Sequence, residues 1–142
     1  MYQRDFILRM IEMVRELIMG ILGLIKKGEL DKADEGIEKI YAGFLREDSS
    51  FFIAIPKEEL TQKLLRGHNY NNGHLEILAM LFYAEAELEL DRGKKKESLE
   101  FSQKALILFE FIDNEQKTYS FENEEKISLL RKRIDSLNAG KI

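Results

Sequence analysis

The sequence predicts an all-α protein, with a single domain of six helices over residues 1–142. Apolar residues recur at spacings of three and four along most of the chain, which is the pattern of amphipathic helices. There is only one Val and there are only two Thr, although strands favour such β-branched residues. A chain of 142 residues with 44% hydrophobic residues can bury a core without metals or disulfides.

The first two predicted helices form an antiparallel pair. Apolar residues at helical spacing run from Phe6 to Ile25, and Gly28 follows two lysines, as at many helix ends. A second helix restarts near Asp31 and continues to Phe44, so the connection is too short for any other arrangement. Four glycines inside these helices predict a close approach between the two backbones; they are Gly20, Gly23, Gly36 and Gly43.

The middle of the chain is predicted to be less regular. Residues 49–55 (SSFFIAI) form an apolar connector, and Pro56 begins a short third helix with two acidic residues in its first turn. Gly67 ends this helix, and residues 67–73 (GHNYNNG) have the glycine and asparagine content of a loop.

Three longer helices complete the prediction. The fourth runs from about 74 to 92, is apolar almost all round at its start and ends at Gly93. The fifth runs from about 95 to 112. The sixth begins after Ser120, a favourable N-cap residue, and ends at Gly140.

Composition and charge exclude several classes of function. The net charge of −4 disfavours a general nucleic-acid binder, which needs clustered basic residues. Without Cys there is no redox thiol, thiolate zinc site or disulfide. The nine apolar residues at 17–25 are too few to span a bilayer, and no signal-cleavage pattern follows them. We therefore expect a cytoplasmic protein without membrane or nucleic-acid partners.

The two histidines, His68 and His74, lie in or beside the Asn-rich loop. Even with Glu76 nearby they supply too few ligands for a metal ion. No serine lies in a nucleophile elbow, and no glycine-rich phosphate loop occurs. The chain is therefore expected to have no catalytic, cofactor or metal site. The alternative is a small ligand-binding or enzymatic domain that uses the His68–His74 loop.

Acidic and apolar runs suggest surfaces. Glu85, Glu87, Glu89 and Asp91 predict a solvated acidic face or, alternatively, a surface for a basic peptide. The apolar residues at 51–55 and 106–112 exceed what one buried stripe needs. They belong to the core or to an interface, and we expect a symmetric homodimer that uses part of one of these runs.

The segments 25–40 (IKKGELDKADEGIEKI) and 90–105 (LDRGKKKESLEFSQKA) each place a glycine between two helices and a small residue five positions later. Those small residues are Ala33 and Ser98. In this respect residues 14–47 and 79–112 resemble the tetratricopeptide repeat, whose paired helices cross at small residues. The opening RDFILRMIE and the segment ILGLIKKGEL at 21–30 are also similar to a family of small uncharacterised bacterial proteins with a tetratricopeptide-like fold.

This resemblance implies two tetratricopeptide-like antiparallel hairpins and no established activity. In such repeats the first helix of each pair lines a partner-binding groove, which implies four groove residues here: Met80, Tyr83, Glu87 and Asp91. The expected function is a non-catalytic protein–protein interaction module with a protein or peptide partner. Besides the ligand-binding domain, the remaining alternative is a purely structural homo-oligomer.

Overall fold

The computed structural model describes residues 2–116 and 120–140, and it contains no strand among them. Its α-helices are α1 Tyr2–Lys26, α2 Leu30–Ile40, α3 Ser49–Ile53, α4 Leu60–Gln62, α5 Asn72–Asp91, α6 Lys95–Gln116 and α7 Phe121–Asn138. The helical content of 86% confirms the all-α prediction. Within the described ranges, no helix combines the length and the apolarity needed to cross a membrane.

The described ranges hold seven α-helices, one more than predicted, because residues 49–55 are not a plain connector. Five of these residues form α3. The predicted third helix begins as a 3-10 turn, Lys57–Glu59, and continues through α4 into a π-helical turn, Lys63–Gly67. Pro56 precedes the 3-10 turn in an extended conformation (φ −60°, ψ 146°) and is not its first helical residue.

Helix α5 is the centre of the fold. It packs most extensively against α6, and also against α1 and α2. Nearly every position from Leu75 to Glu89 is buried. A helix surrounded in this way needs apolar residues on all sides, which accounts for the composition of its first half.

Helices α1 and α5 end in the same way. Gly28 (φ 80°) and Gly93 (φ 78°) adopt the left-handed conformation, as predicted for glycines that follow a helix. The residue after each glycine donates its amide N–H to the carbonyl oxygen five positions earlier, at 2.9 Å in α1 and 2.8 Å in α5. The α1–α2 and α5–α6 connections therefore share one capping motif.

Small side chains lie where α5 meets α6. Ser98 and Ala105 of α6 are fully buried, and the Ser98 hydroxyl donates a 2.8 Å hydrogen bond to the carbonyl oxygen of Ala86. Ser102 is also fully buried, but its hydroxyl has no hydrogen-bond partner among the residues that the structure describes. These residues let the two helices pack closely, at the cost of one unsatisfied hydroxyl.

The predicted close approach at four glycines is correct at only one of them. A Cβ on Gly36 of α2 would lie 3.1 Å from Cγ1 of Ile21 on α1, which is closer than ordinary packing. Cβ atoms on Gly20, Gly23 and Gly43 would have no described atom within 4 Å, apart from their sequence neighbours and the backbone of their own helix. The helices therefore meet at Gly36, and the other three glycines face open space.

Candidate interaction surface

Helix α1 carries two apolar stripes, and only one of them is buried in the core. The buried stripe consists of Ile11, Val14, Ile18, Ile21 and Ile25. The second, here called the α1 stripe, consists of Phe6, Met10, Met13, Leu17, Gly20 and Leu24. Phe6, Met13 and Leu17 are 61%, 54% and 46% exposed. Met10 and Leu24 are partly buried against the core, so the α1 stripe is an apolar surface that the single chain leaves partly open to water.

A groove runs beside this stripe. Along the C-terminal half of the α1 stripe, α1 and α2 form the two walls of a cavity of about 570 Å³. Leu17, Gly20 and Phe44 are among the residues that line it. Along the N-terminal half of the α1 stripe, a cavity of about 600 Å³ is bounded by the π-helical turn Tyr41–Leu45 and by residues 68–74, here called the histidine loop. Phe44 lines both cavities. These two neighbouring cavities, which follow the α1 stripe, are here called the α1–α2 groove.

Charged residues border the α1–α2 groove. Glu16 and Lys39 line its C-terminal part, and Arg46 lines its N-terminal part. On α1, Arg9 and Glu16 each directly precede a stripe residue and therefore lie along one edge of the stripe. Neither of these two forms an ion pair with another described residue.

Both histidines have partners within the fold. Nε2 of His68 lies 3.1 Å from Oε2 of Glu47. Nδ1 of His74 accepts the backbone N–H of Asn71 at 3.1 Å, and Oδ1 of Asn71 accepts that of His74 at 3.1 Å, which makes a reciprocal cap on α5. Burial, with a smaller effect from His68, lowers the pKa of His74.

Aromatic stacking fixes the histidine loop. The ring of Tyr70 lies 4.7 Å from that of His68 and 4.5 Å from that of His74, between centroids. The Tyr70 hydroxyl donates a 2.6 Å hydrogen bond to the carbonyl oxygen of Leu45. Burial raises the pKa of Tyr70 to about 12. The described residues hold no group of three His, Asp or Glu side chains placed to bind a metal ion.

The four groove residues implied by the repeat lie on α5, and side chains of α7 lie beside two of them, Tyr83 and Glu87. Met80 and Tyr83 are buried, and Asp91 is exposed. Glu87 forms an ion pair with Arg133 of α7. Lys126 and Arg133 of α7 both lie within 6 Å of the Tyr83 ring, at 5.7 and 5.8 Å from its centroid. None of the four lines the α1–α2 groove.

Ion pairs connect α7 and α5 to α1. One nitrogen of Arg15 lies 3.0 Å from Oε2 of Glu76, and another lies 3.1 Å from Oε2 of Glu122. Glu76 is buried, and this burial raises its pKa even though Arg15 acts in the opposite direction. These charges secure the side of α1 that faces away from the α1 stripe.

The predicted solvated acidic face is only partly present. Glu85 and Glu89 are buried, whereas Asp91 is exposed. Glu89 pairs with Arg92 at 2.9 Å, and Arg92 also reaches Asp34 of α2 at 3.3 Å. Two of the four carboxylates therefore belong to the interior and are not available to a peptide.

The predicted apolar runs are mostly interior as well. Leu108, Phe109 and Ile112 are fully buried in the core, as is Phe52 of the other run. In that run Ile53 remains 43% exposed. Among the described residues, α1 carries more exposed large apolar side chains than any other helix, which the apolar runs of the sequence did not indicate. Comparisons with protein-family models, with curated proteins and with solved structures found no match.

Proposed function

We propose that the protein is a non-catalytic protein–protein interaction module and that the α1–α2 groove is its binding surface. The observation that carries the proposal is the exposure of the α1 stripe beside this groove. Large contiguous apolar surfaces are uncommon on monomers and usually mark interaction sites. A long apolar groove between helices fits an amphipathic helix, whose apolar face fills it.

The state of the nearby titratable groups supports a binding role over a catalytic one. General acid–base catalysis needs a side chain that is free to reach the substrate and exchange a proton with it. Here His74 serves as a helix cap, His68 pairs with Glu47, and the Tyr70 hydroxyl donates a hydrogen bond to the carbonyl oxygen of Leu45. Each of these groups at the groove therefore has a structural task.

A tetratricopeptide-like architecture is part of the same proposal. Its support is the shared glycine cap of the two hairpins, together with the complete burial of Ala33 and Ser98, each five residues after its glycine. Close helix crossings need such small residues. We also place this module in the cytoplasm, since the charged, Cys-free composition suits a soluble binding domain.

The experiment compares three tagged proteins as baits in a lysate of cells that express the chain. They are the wild type, Met13→Lys in the groove, and Met19→Lys as a matched control. Met19 is 71% exposed and lies on the other side of α1. Circular dichroism establishes first that all three are equally folded.

The proposal requires at least one polypeptide, either another protein or the untagged chain itself, that the wild type and Met19→Lys retain and Met13→Lys loses. Two results would overturn it. One is an identical set of retained polypeptides for all three baits. The other is the retention of no polypeptide by the wild type.

A further inference from the structure

The residue spacing of the α1 stripe indicates what kind of helix fits it. Its members are separated by 4, 3, 4, 3 and 4 residues, which is the spacing of the apolar seam in a two-stranded coiled coil. The buried stripe has the same spacing and packs against the rest of the fold. The α1 stripe therefore presents a second coiled-coil seam, in which Met10 and Leu24 are partly buried against the core and Phe6, Met13 and Leu17 remain exposed.

The charges beside the seam favour one orientation. In an antiparallel pair of α1 helices with Met10 opposite Met13 of the second copy, Phe6 lies opposite Leu17. The residues that directly precede Met10 and Leu17 then face each other across the interface. Arg9 therefore lies beside Glu16 of the second copy. A two-fold axis repeats this opposite-charge contact on the other side of the centre.

Other alignments lack this complementarity. Sliding one helix by a heptad brings Glu16 beside Glu16 of the second copy, which is a repulsive contact. In a parallel pair, Arg9 would face the position of Val14, which is fully buried in the core of its own chain. Only the first antiparallel alignment pairs both charges with opposite charges.

We infer that the α1–α2 groove receives α1 of a second copy of this chain, antiparallel about a two-fold axis, with Arg9 of each copy paired with Glu16 of the other. The inference rests on the proposed function, for which it names the partner. Gly20 and Gly43 line the groove, and their open surroundings leave room for the incoming helix.

Sedimentation equilibrium over a range of micromolar concentrations tests the association. The wild type and Met19→Lys should approach twice the chain mass of 16.6 kDa, whereas Met13→Lys should remain at 16.6 kDa. A wild type that stays at 16.6 kDa at every concentration would overturn the inference. A dimer that tolerates Met13→Lys would overturn it too.

Charge reversal tests the alignment. Arg9→Glu and Glu16→Arg should each weaken self-association by about tenfold, because each places like charges together at two symmetric positions. The double variant should restore the wild-type dissociation constant, and an equimolar mixture of the two single variants should form a heterodimer. Single variants that associate as tightly as the wild type, or a double variant that fails to recover, would contradict the alignment.

Cross-linking gives an independent measurement, because the chain has no Cys of its own. Met10→Cys and Met13→Cys, mixed and treated with a short bifunctional maleimide, should give a covalent dimer of one chain of each kind. Each variant alone should cross-link much less. A parallel pair would instead cross-link Met10→Cys to itself, and that result would refute the antiparallel arrangement.

The tests separate failure of this inference from failure of the proposed function. If the wild type is monomeric and the lysate experiment still shows a different protein that Met13→Lys loses, the groove is an interaction surface with a foreign partner. If Met13→Lys changes neither the self-association nor the set of retained polypeptides, both proposals are wrong.

Discussion

The hydroxyl of Tyr41 donates a hydrogen bond to Oε2 of Glu85 over 3.3 Å, and both side chains are buried. Burial raises the pKa of Glu85 to about 8, and the negative charges of Glu38 and Asp34 add to this effect. The same burial, together with Glu85, raises the pKa of Tyr41 well above its ordinary value. A carboxyl group that is mostly neutral at pH 7 therefore lies between α2 and α5.

Glu85 should make the protein less stable as the pH rises from about 4.5 to about 8. In this range the folded state holds a proton that the unfolded state has already released, so the free energy of unfolding falls with pH. We expect a loss of at least about 1.4 kcal/mol between pH 5 and pH 9, which corresponds to one unit of pKa difference. Urea denaturation at a series of pH values measures it.

Glu85→Gln isolates this contribution, because a neutral amide keeps the shape of the protonated carboxyl group. The variant should match the wild type at pH 5 and exceed its stability at pH 9. If the difference between the two proteins does not change with pH, Glu85 does not have a raised pKa.

Replacement by Ala should lower the stability at one of the two buried serines of α6, Ser98, but not at the other, Ser102. Ser98→Ala removes a hydrogen bond to the carbonyl oxygen of Ala86 and should cost about 1 kcal/mol. Ser102→Ala removes a hydroxyl without a partner and should leave the stability unchanged or increase it. Thermal and urea unfolding of both variants measure the contrast. Equal losses would show that Ser102 has a partner after all.

Much of the fold could be predicted from the sequence because its signals are local. The periodicity of apolar residues, the glycines at 28 and 93 and the cap at Ser120 depend on neighbours within one or two turns. Helix α3 was missed since five residues are too short to show a period. The burial of Glu85 beside Tyr41 was not predicted because these two residues lie 44 positions apart in the sequence.

The candidate site was less predictable for a related reason. Both apolar stripes of α1 are visible in the sequence, but nothing local tells which stripe the rest of the chain covers. The repeat resemblance implied Met80 and Tyr83 as groove residues; both are buried, and Lys126 and Arg133 of α7 lie beside the Tyr83 ring. The location of an open surface depends on how the last helix packs, and that is a property of the whole fold.

Two glycine replacements should have opposite effects on stability. Gly23→Ala adds a methyl group in open space inside α1 and should raise the free energy of unfolding by about 1 kcal/mol. Gly73→Ala places its Cβ against Cγ2 of Ile7, at a distance that real Cβ contacts essentially never show. It should therefore destabilise the contact between α1 and α5 by about 1–3 kcal/mol. Chemical denaturation compares the variants.

Shortening the side chain of Ile7 is the control for the replacement of Gly73. Adding Ile7→Ala to Gly73→Ala should recover stability relative to the sum of the two single changes, because the methyl group that clashes is removed. Strict additivity would show that the cost arises elsewhere in the first turn of α5.

The cap at His74 should make stability fall as the pH falls below about 6.5. The pKa of His74 is lowered in the folded state, so between that pKa and 6.5 the unfolded state binds more protons than the folded state. Protonation also removes the acceptor lone pair on Nδ1 that receives the Asn71 N–H, which is worth about 1 kcal/mol for a helix cap. His74→Gln retains an acceptor oxygen and does not titrate, so between pH 7 and pH 5 the wild type should lose stability relative to this variant. Comparing the two proteins cancels the opposing effect of Glu85, which both contain. A stability difference that stays constant over this range would show that the neutral imidazole is not required for the cap.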